Sequence, residues 1–166
     1  MLTCWNQIRG FYLIISGVHD LSPLSSLSEV TGGLRLVNLA VTHLGDLAEL
    51  STMNALSVVG CPYLSVVDLP MAIEVRRGIE ISGCANLLEV SGPATASELE
   101  VDDCRALRSI DGFEVASLVL EELVDIEQIV DCDIGREIRI EACEGGLAPG
   151  LFDGITVSNA ICFSPD

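Results

Sequence analysis

The chain has 166 residues, of which 49 % are apolar and only 4 % aromatic, and it carries a formal net charge of −17. This length gives one domain able to bury a sizeable core of Leu, Ile, Val and Ala, and the apolar fraction argues against disorder despite the charge. All eight basic residues are Arg, set against 25 acids, so a nucleic-acid backbone and an anionic membrane surface are both disfavoured as partners.

Residues 1–9 lack a basic region followed by an apolar run, so no secretory leader is expected. They read as a cap or junction. Residues 10–145 read as repeats, and 146–166 as an irregular last coil or cap, all within a single domain spanning 1–166.

A frame of apolar, any, apolar, any, any, small-apolar recurs along the chain. Its occurrences are Leu13/Ile15/Val18, Leu34/Leu36/Leu39, Leu56/Val58/Cys61, Ile79/Ile81/Cys84, Leu99/Val101/Cys104, Leu118/Leu120/Leu123, Ile138/Ile140/Cys143 and Ile155/Val157/Ala160. The steps between first positions are 21, 22, 23, 20, 19, 20 and 17 residues.

Apolar residues two apart predict a short strand with one buried face. Three residues past the sixth position the chain turns inward again, at Leu21, Leu64, Leu87, Leu107 and Ile126. In the early units the three-residue steps from Leu21 to Val30 and from Leu44 to Met53 predict a turn of helix or 3₁₀ on the return side. A unit of about twenty residues cannot enclose a core alone, but stacked units bury a continuous one.

The expected fold is mainly β with α/β character in its repeats. It is a right-handed β-helix of about seven to eight short coils sharing one parallel sheet, the hand following from the general crossover rule.

The longest charge-free run, Leu50 to Val67, contains Asn54, Gly60 and Pro62, so it is no spanning helix of about 20 apolar residues. The seven cysteines form no C-x-x-C pair, which disfavours a zinc ribbon or a dithiol redox centre. Cys61, Cys84, Cys104 and Cys143 share the sixth position and read as buried fillers of one column. Cys4, Cys132 and Cys162 stand outside it.

The stretch Leu56-Ser57-Val58-Val59-Gly60-Cys61-Pro62-Tyr63-Leu64 and its counterpart from Leu99 to Leu107 follow the pattern L-x-L-x-x-C-x-x-L. This resembles a leucine-rich repeat, and the short period resembles the receptor L-domain branch. The resemblance covers residues 10 to about 145. It implies a non-enzymatic protein- or ligand-recognition module, often extracellular or at the cell surface, with no catalytic residues to transfer. A structural segment of a larger surface protein is the alternative, and a carbohydrate-binding or carbohydrate-cleaving solenoid a distant one.

With frame positions one and three facing inward, positions two, four and five face solvent. In the later units these are Glu80, Glu100, Asp102, Asp103, Glu121, Glu122, Arg139 and Glu141. Residues 79–166 hold 19 acids and four Arg, against six acids and four Arg in 1–78, so the expected contact area is an acidic stripe on the C-terminal coils. Its chemically matched partner is a basic protein patch or, more weakly, a divalent cation held by Asp102-Asp103 and Asp131-Cys132-Asp133.

The early units present a more apolar surface that includes Ile14, Val37 and Val59. Tyr12 and Tyr63 are expected as half-buried rim residues, and His19 and His43 as turn residues. No phosphate loop, dinucleotide fingerprint or nucleophile elbow is present, so neither enzyme nor cofactor chemistry is expected.

Overall fold

The computed structural model describes residues 7–10, 12–70, 73–124, 126–142, 149–153, 155–157 and 161–164. The chain winds as a parallel β-solenoid of about six turns. Six coils each contribute one long strand to a large sheet: β3 (Glu29–Val37), β4 (Thr52–Val59), β6 (Glu74–Ser82), β8 (Thr95–Asp102), β10 (Glu114–Glu121) and β12 (Asp133–Glu141). Shorter pieces complete it. β1 (Gln7–Ile8) and β2 (Tyr12–Ser16) both pair with β3, while β13 (Thr156–Val157) and β14 (Ile161–Ser164) both pair with β12. The seven to eight coils expected roughly match these turns, the first and last being represented by these fragments.

Strand pairing places the frame in register. Leu13, Leu34, Leu56, Ile79, Leu99, Leu118 and Ile138 form one column, and the third positions, from Ile15 to Ile140, form the next. From Leu34 onward both columns are almost fully buried. They form the core with the sixth-position residues and with Leu21, Leu64, Leu87, Leu107 and Ile126.

The last frame is the exception. Ile161 and Phe163, not Ile155 and Val157, align with Ile138 and Ile140, while Val157 pairs with Ile134 at the start of β12. An apolar-x-apolar spacing fits either half of a long strand, so the pattern alone does not separate them.

The single sheet expected is corrected. The return side carries a second parallel sheet of three-residue strands, β5 (Val66–Asp68), β7 (Glu89–Ser91), β9 (Ser109–Asp111) and β11 (Gln128–Val130). Each buries one residue, in the column Val67, Val90, Ile110, Ile129. In the two early units the three-residue steps give 3₁₀ turns at Ser22–Leu24 and Gly45–Leu47 instead.

Frame position five is a corner and not a strand position. Gly17, Asn38, Gly60, Gly83, Asp103, Glu122 and Ala142 all adopt φ between 44° and 65°. This left-handed conformation turns the chain off the sheet, and it suits Gly and Asn far better than other residues. From Gly17 to Glu122, each corner N–H donates to the position-four carbonyl of the next coil, as Gly83 does to Asp102 at 3.0 Å. The backbone ladder therefore continues around the bend.

A second left-handed corner, at Gly92, Gly112 and Asp131, closes the small sheet, and the Gly92 and Gly112 N–H groups donate to the Asp111 and Val130 carbonyls of the next coil, each at 3.1 Å. At Gly92 a Cβ would lie 2.7 Å from the carbonyl oxygen of Leu69, so coil stacking there requires glycine.

Candidate functional site

Alternation along each frame strand sends the residue before position one, position two and position four to the outer face. Register pairing sorts them into three columns running along the solenoid. The first is Tyr12, Gly33, Ala55, then Gly78, Glu98, Ser117 and Glu137; the second is Ile14, Arg35, Ser57, Glu80, Glu100, Val119 and Arg139; the third is Ser16, Val37, Val59, Ser82, Asp102, Glu121 and Glu141.

The structure brings most of the expected stripe together. Glu80 stands directly opposite Glu100, and Asp102, Glu121 and Glu141 follow one another on successive strands. Asp103 and Glu122 do not join this face. They occupy the left-handed corners beside it, where Arg105 bridges them at 3.1 and 3.8 Å. Arg139 lies between Glu137 and Glu141 at 3.6 and 3.8 Å, so the last coil is locally compensated. Val119 interrupts the second column and is buried between its neighbours.

The uncompensated centre consists of Glu80, Glu100, Asp102 and Glu121. Glu80 accepts a hydrogen bond from the Ser57 hydroxyl at 3.1 Å. Among the described residues no arginine forms an ion pair with Glu100, Asp102 or Glu121. Partial burial, reinforced by Glu121, Glu80, Glu98 and Asp102, raises the Glu100 carboxyl above the ordinary glutamate range. Both burial and like charges disfavour the ionised form.

Glu98 is a member that sequence reasoning overlooked. It precedes position one, so the alternation that exposes Glu100 exposes it as well. The signal was present two residues upstream. Small residues earlier in the same column leave a groove of about 260 Å³ floored by Ala55 and Gly78, with Tyr12 and Arg35 toward one end and Glu80, Glu98 and Glu100 toward the other. A second groove, of about 470 Å³, follows the starts of the long strands and is lined by Glu74, Arg76, Thr95, Ser97, Glu114 and Asp133 among others. It lies where the pairing register shifts between Val75 and Gly78 and between Val115 and Ser117.

The cation ligand set expected around Asp131-Cys132-Asp133 is divided. Asp131 occupies a corner, the Cys132 side chain is buried, and Asp133 is an exposed strand residue. Among the described residues no three His, Cys, Asp or Glu side chains gather as a metal site, and no helix is long and apolar enough to cross a membrane.

Tyr12 and Tyr63 are well exposed, at 60 % and 63 %, where half-burial was expected. His43 sits in a turn, its Nδ1 accepting from the Gly45 N–H at 3.2 Å.

The cysteine column is a hydrogen-bonded ladder. Cys61, Cys84 and Cys104 are fully buried free thiols, while Cys143 lies outside the described residues, as do Cys4 and the side chain of Cys162. The Cys61 and Cys84 thiols each donate to the carbonyl two residues back, at 3.6 Å. Thiol contacts along the ladder and burial push Cys84 up to about 11 and raise Cys61 further. Cys61 and Cys84 are therefore packing groups and poor nucleophiles at neutral pH, whereas the Cys84 thiol lowers Cys104, which is equally buried.

Cys132 plays the same part at the second corner. It follows left-handed Asp131 as Cys61 follows left-handed Gly60, and its thiol donates to the Val130 carbonyl at 3.2 Å.

No protein-family model, curated protein or solved structure matches this chain.

Proposed function

We propose that this protein is a non-enzymatic recognition solenoid of the leucine-rich-repeat, receptor L-domain-like type, which binds a basic segment of a partner protein across its outer strand face. The observation that carries this reading is the register-matched group of Glu80, Glu100, Asp102 and Glu121, held on rigid strands with no arginine paired to the last three among the described residues. Like charges opposite one another cost the free protein stability. A cationic partner removes that cost on binding, so complementarity contributes to both rate and specificity.

The groove over Ala55 and Gly78 fits this chemistry. The Tyr12 ring supplies a surface for the stem of a Lys or Arg side chain, and Glu80, Glu98 and Glu100 face its charged end. The adjoining column from Asp102 to Glu141 extends the contact along the solenoid axis.

The test is fluorescence anisotropy of labelled Lys- and Arg-rich peptides with the full chain, at 50 and 300 mM NaCl. Binding should weaken at the higher salt and fall at least tenfold in the quadruple variant Glu80→Gln, Glu100→Gln, Asp102→Asn, Glu121→Gln. Binding insensitive to salt, or unchanged in the variant, overturns the proposal.

A further inference from the structure

The first coil breaks the rule that governs the others. Strand β2 reads Tyr12-Leu13-Ile14-Ile15-Ser16, with apolar residues on both faces. Leu13 and Ile15 point to the core, while Tyr12 and Ile14 are 60 % and 63 % exposed on the outside. Four consecutive apolar residues read as a strand of a parallel sheet that is covered on both faces. Yet among the described residues β2 pairs only with β3, and no described strand lies on its other edge. A hydrophobic edge of this kind is a template for pairing with another chain.

Among the described residues that edge borders an apolar end face. An opening of about 480 Å³ is lined by Ile8, Leu13, Ile15, Val18, Leu21 and Leu24. Asp20 is the only charged residue among the described residues lining it, and its carboxylate is already committed to the backbone N–H and hydroxyl of Ser22, at 2.8 and 2.9 Å.

We infer that this end is a self-association surface, and that two copies of the chain join there end to end, β2 against β2, antiparallel about a two-fold axis. The end face presents the same chemistry that it requires of an occupant: an unpaired strand edge beside inward-facing aliphatic residues. A two-fold axis perpendicular to the sheet keeps the inner face of both sheets on the same side. The two cores then become continuous, and each end face meets its equivalent in an isologous contact.

The charge distribution selects this arrangement. Residues 79–166 carry −15 of the net −17, from 19 acids and four Arg. Joining the N-terminal ends places the acidic halves at opposite extremes of the dimer, whereas any contact through the C-terminal coils brings them together. The inference does not depend on the binding function proposed above.

Strand geometry supplies the test. The Gly17 N–H donates to the Val37 carbonyl of β3 at 3.1 Å, and alternation along β2 therefore turns the N–H groups of Ser16, Ile14 and Tyr12 toward the open edge. Ile14→Pro removes a donor from that edge and leaves the β2–β3 ladder intact. Sedimentation equilibrium of the full chain from 1 to 100 µM should show a monomer–dimer equilibrium. The Ile14→Pro variant should be monomeric across the range with an unchanged circular dichroism spectrum.

Ile14→Lys, an outward substitution on an exposed side chain, serves as the second variant in case proline disturbs folding, and it should likewise be monomeric. A wild-type monomer at 100 µM, a dimer that persists in the folded variants, or open-ended polymers from head-to-tail stacking would each overturn the inference.

Discussion

The backbone N–H of Leu39 donates to the Sγ of Cys61 at 3.4 Å, across one coil of the solenoid. Both residues are fully buried, so the thiol serves an amide that has no access to water. The Cys84 and Cys104 thiols hold the same position in the next two coils and are buried likewise, donating to the Ser82 and Ile81 carbonyls at 3.6 and 3.9 Å. The residue after the left-handed Asn38 corner thus has its amide satisfied by a sulfur, which is a physical reason for cysteine at position 61.

Cys61→Ala should therefore cost about 1–3 kcal/mol, the range for leaving a buried donor unsatisfied. Cys61→Ser retains an acceptor and a donor, and should cost less. Urea denaturation of the two variants measures the difference. Equal losses would show that side-chain volume, and not the hydrogen bond, accounts for the column.

The corner itself makes a separate prediction. Gly83 has φ of +63°, and a Cβ there would meet only Gly60, at 3.7 Å from its Cα and 3.8 Å from its N. There is room for a methyl group, so the cost of Gly83→Ala is torsional, about 1–2 kcal/mol. Gly83→Asn should lose less, because Asn tolerates this conformation and Asn38 holds the equivalent corner with φ of 50°. Thermal melts of both variants against wild type test the ranking.

Much of this architecture is legible in the sequence because each coil repeats two buried positions two residues apart. The frame from Leu13 to Ile140 locates the strand half that carries the candidate site, and the outward residues follow by alternation. The small sheet is not legible in the sequence because its strands bury a single residue each, such as Val90 in Glu89–Ser91, and one apolar residue establishes no period. The displacement of the last frame has a similar cause: Thr156–Val157 and Ile161–Ser164 both pair with β12, at its two ends. Asp103 and Glu122 read as members of the face because a side chain gives little sign that its backbone is left-handed. Only the glycines and Asn38 at equivalent positions signal the corner.

Asp102 and Glu121 are direct register partners. Among the described residues neither forms an ion pair with an arginine, so Glu121→Gln should stabilise the free protein by about 0.2–1 kcal/mol at low ionic strength. Screening by 0.5 M NaCl should largely remove the gain. The same substitution should weaken capture of a basic peptide, which separates a residue selected for binding from one selected for stability. Urea titrations at the two salt concentrations measure the first effect. A loss of stability in Glu121→Gln would show that the acidic column is favourable to the fold.

Glu100 gives the pH dependence. Its carboxyl is raised above the ordinary glutamate range, first by burial and then by Glu121, Glu80, Glu98 and Asp102. A carboxyl raised in the folded state binds more protons when folded than when unfolded, over the interval between the two values. Its favourable contribution is therefore fully present below the unfolded glutamate value of about 4.3 and is lost as pH rises through the folded value. At pH 7 the folded protein bears the full cost of the ionised group. Glu100→Gln removes that cost, so the variant should be more stable than wild type at pH 7, with the difference narrowing toward pH 4. Paired urea denaturations at pH 4, 5, 6 and 7 give the difference directly, free of the titration shared with the other acids. A difference that is constant with pH would mean that Glu100 titrates alike in the folded and unfolded chains, and that the strand face does not perturb its charge.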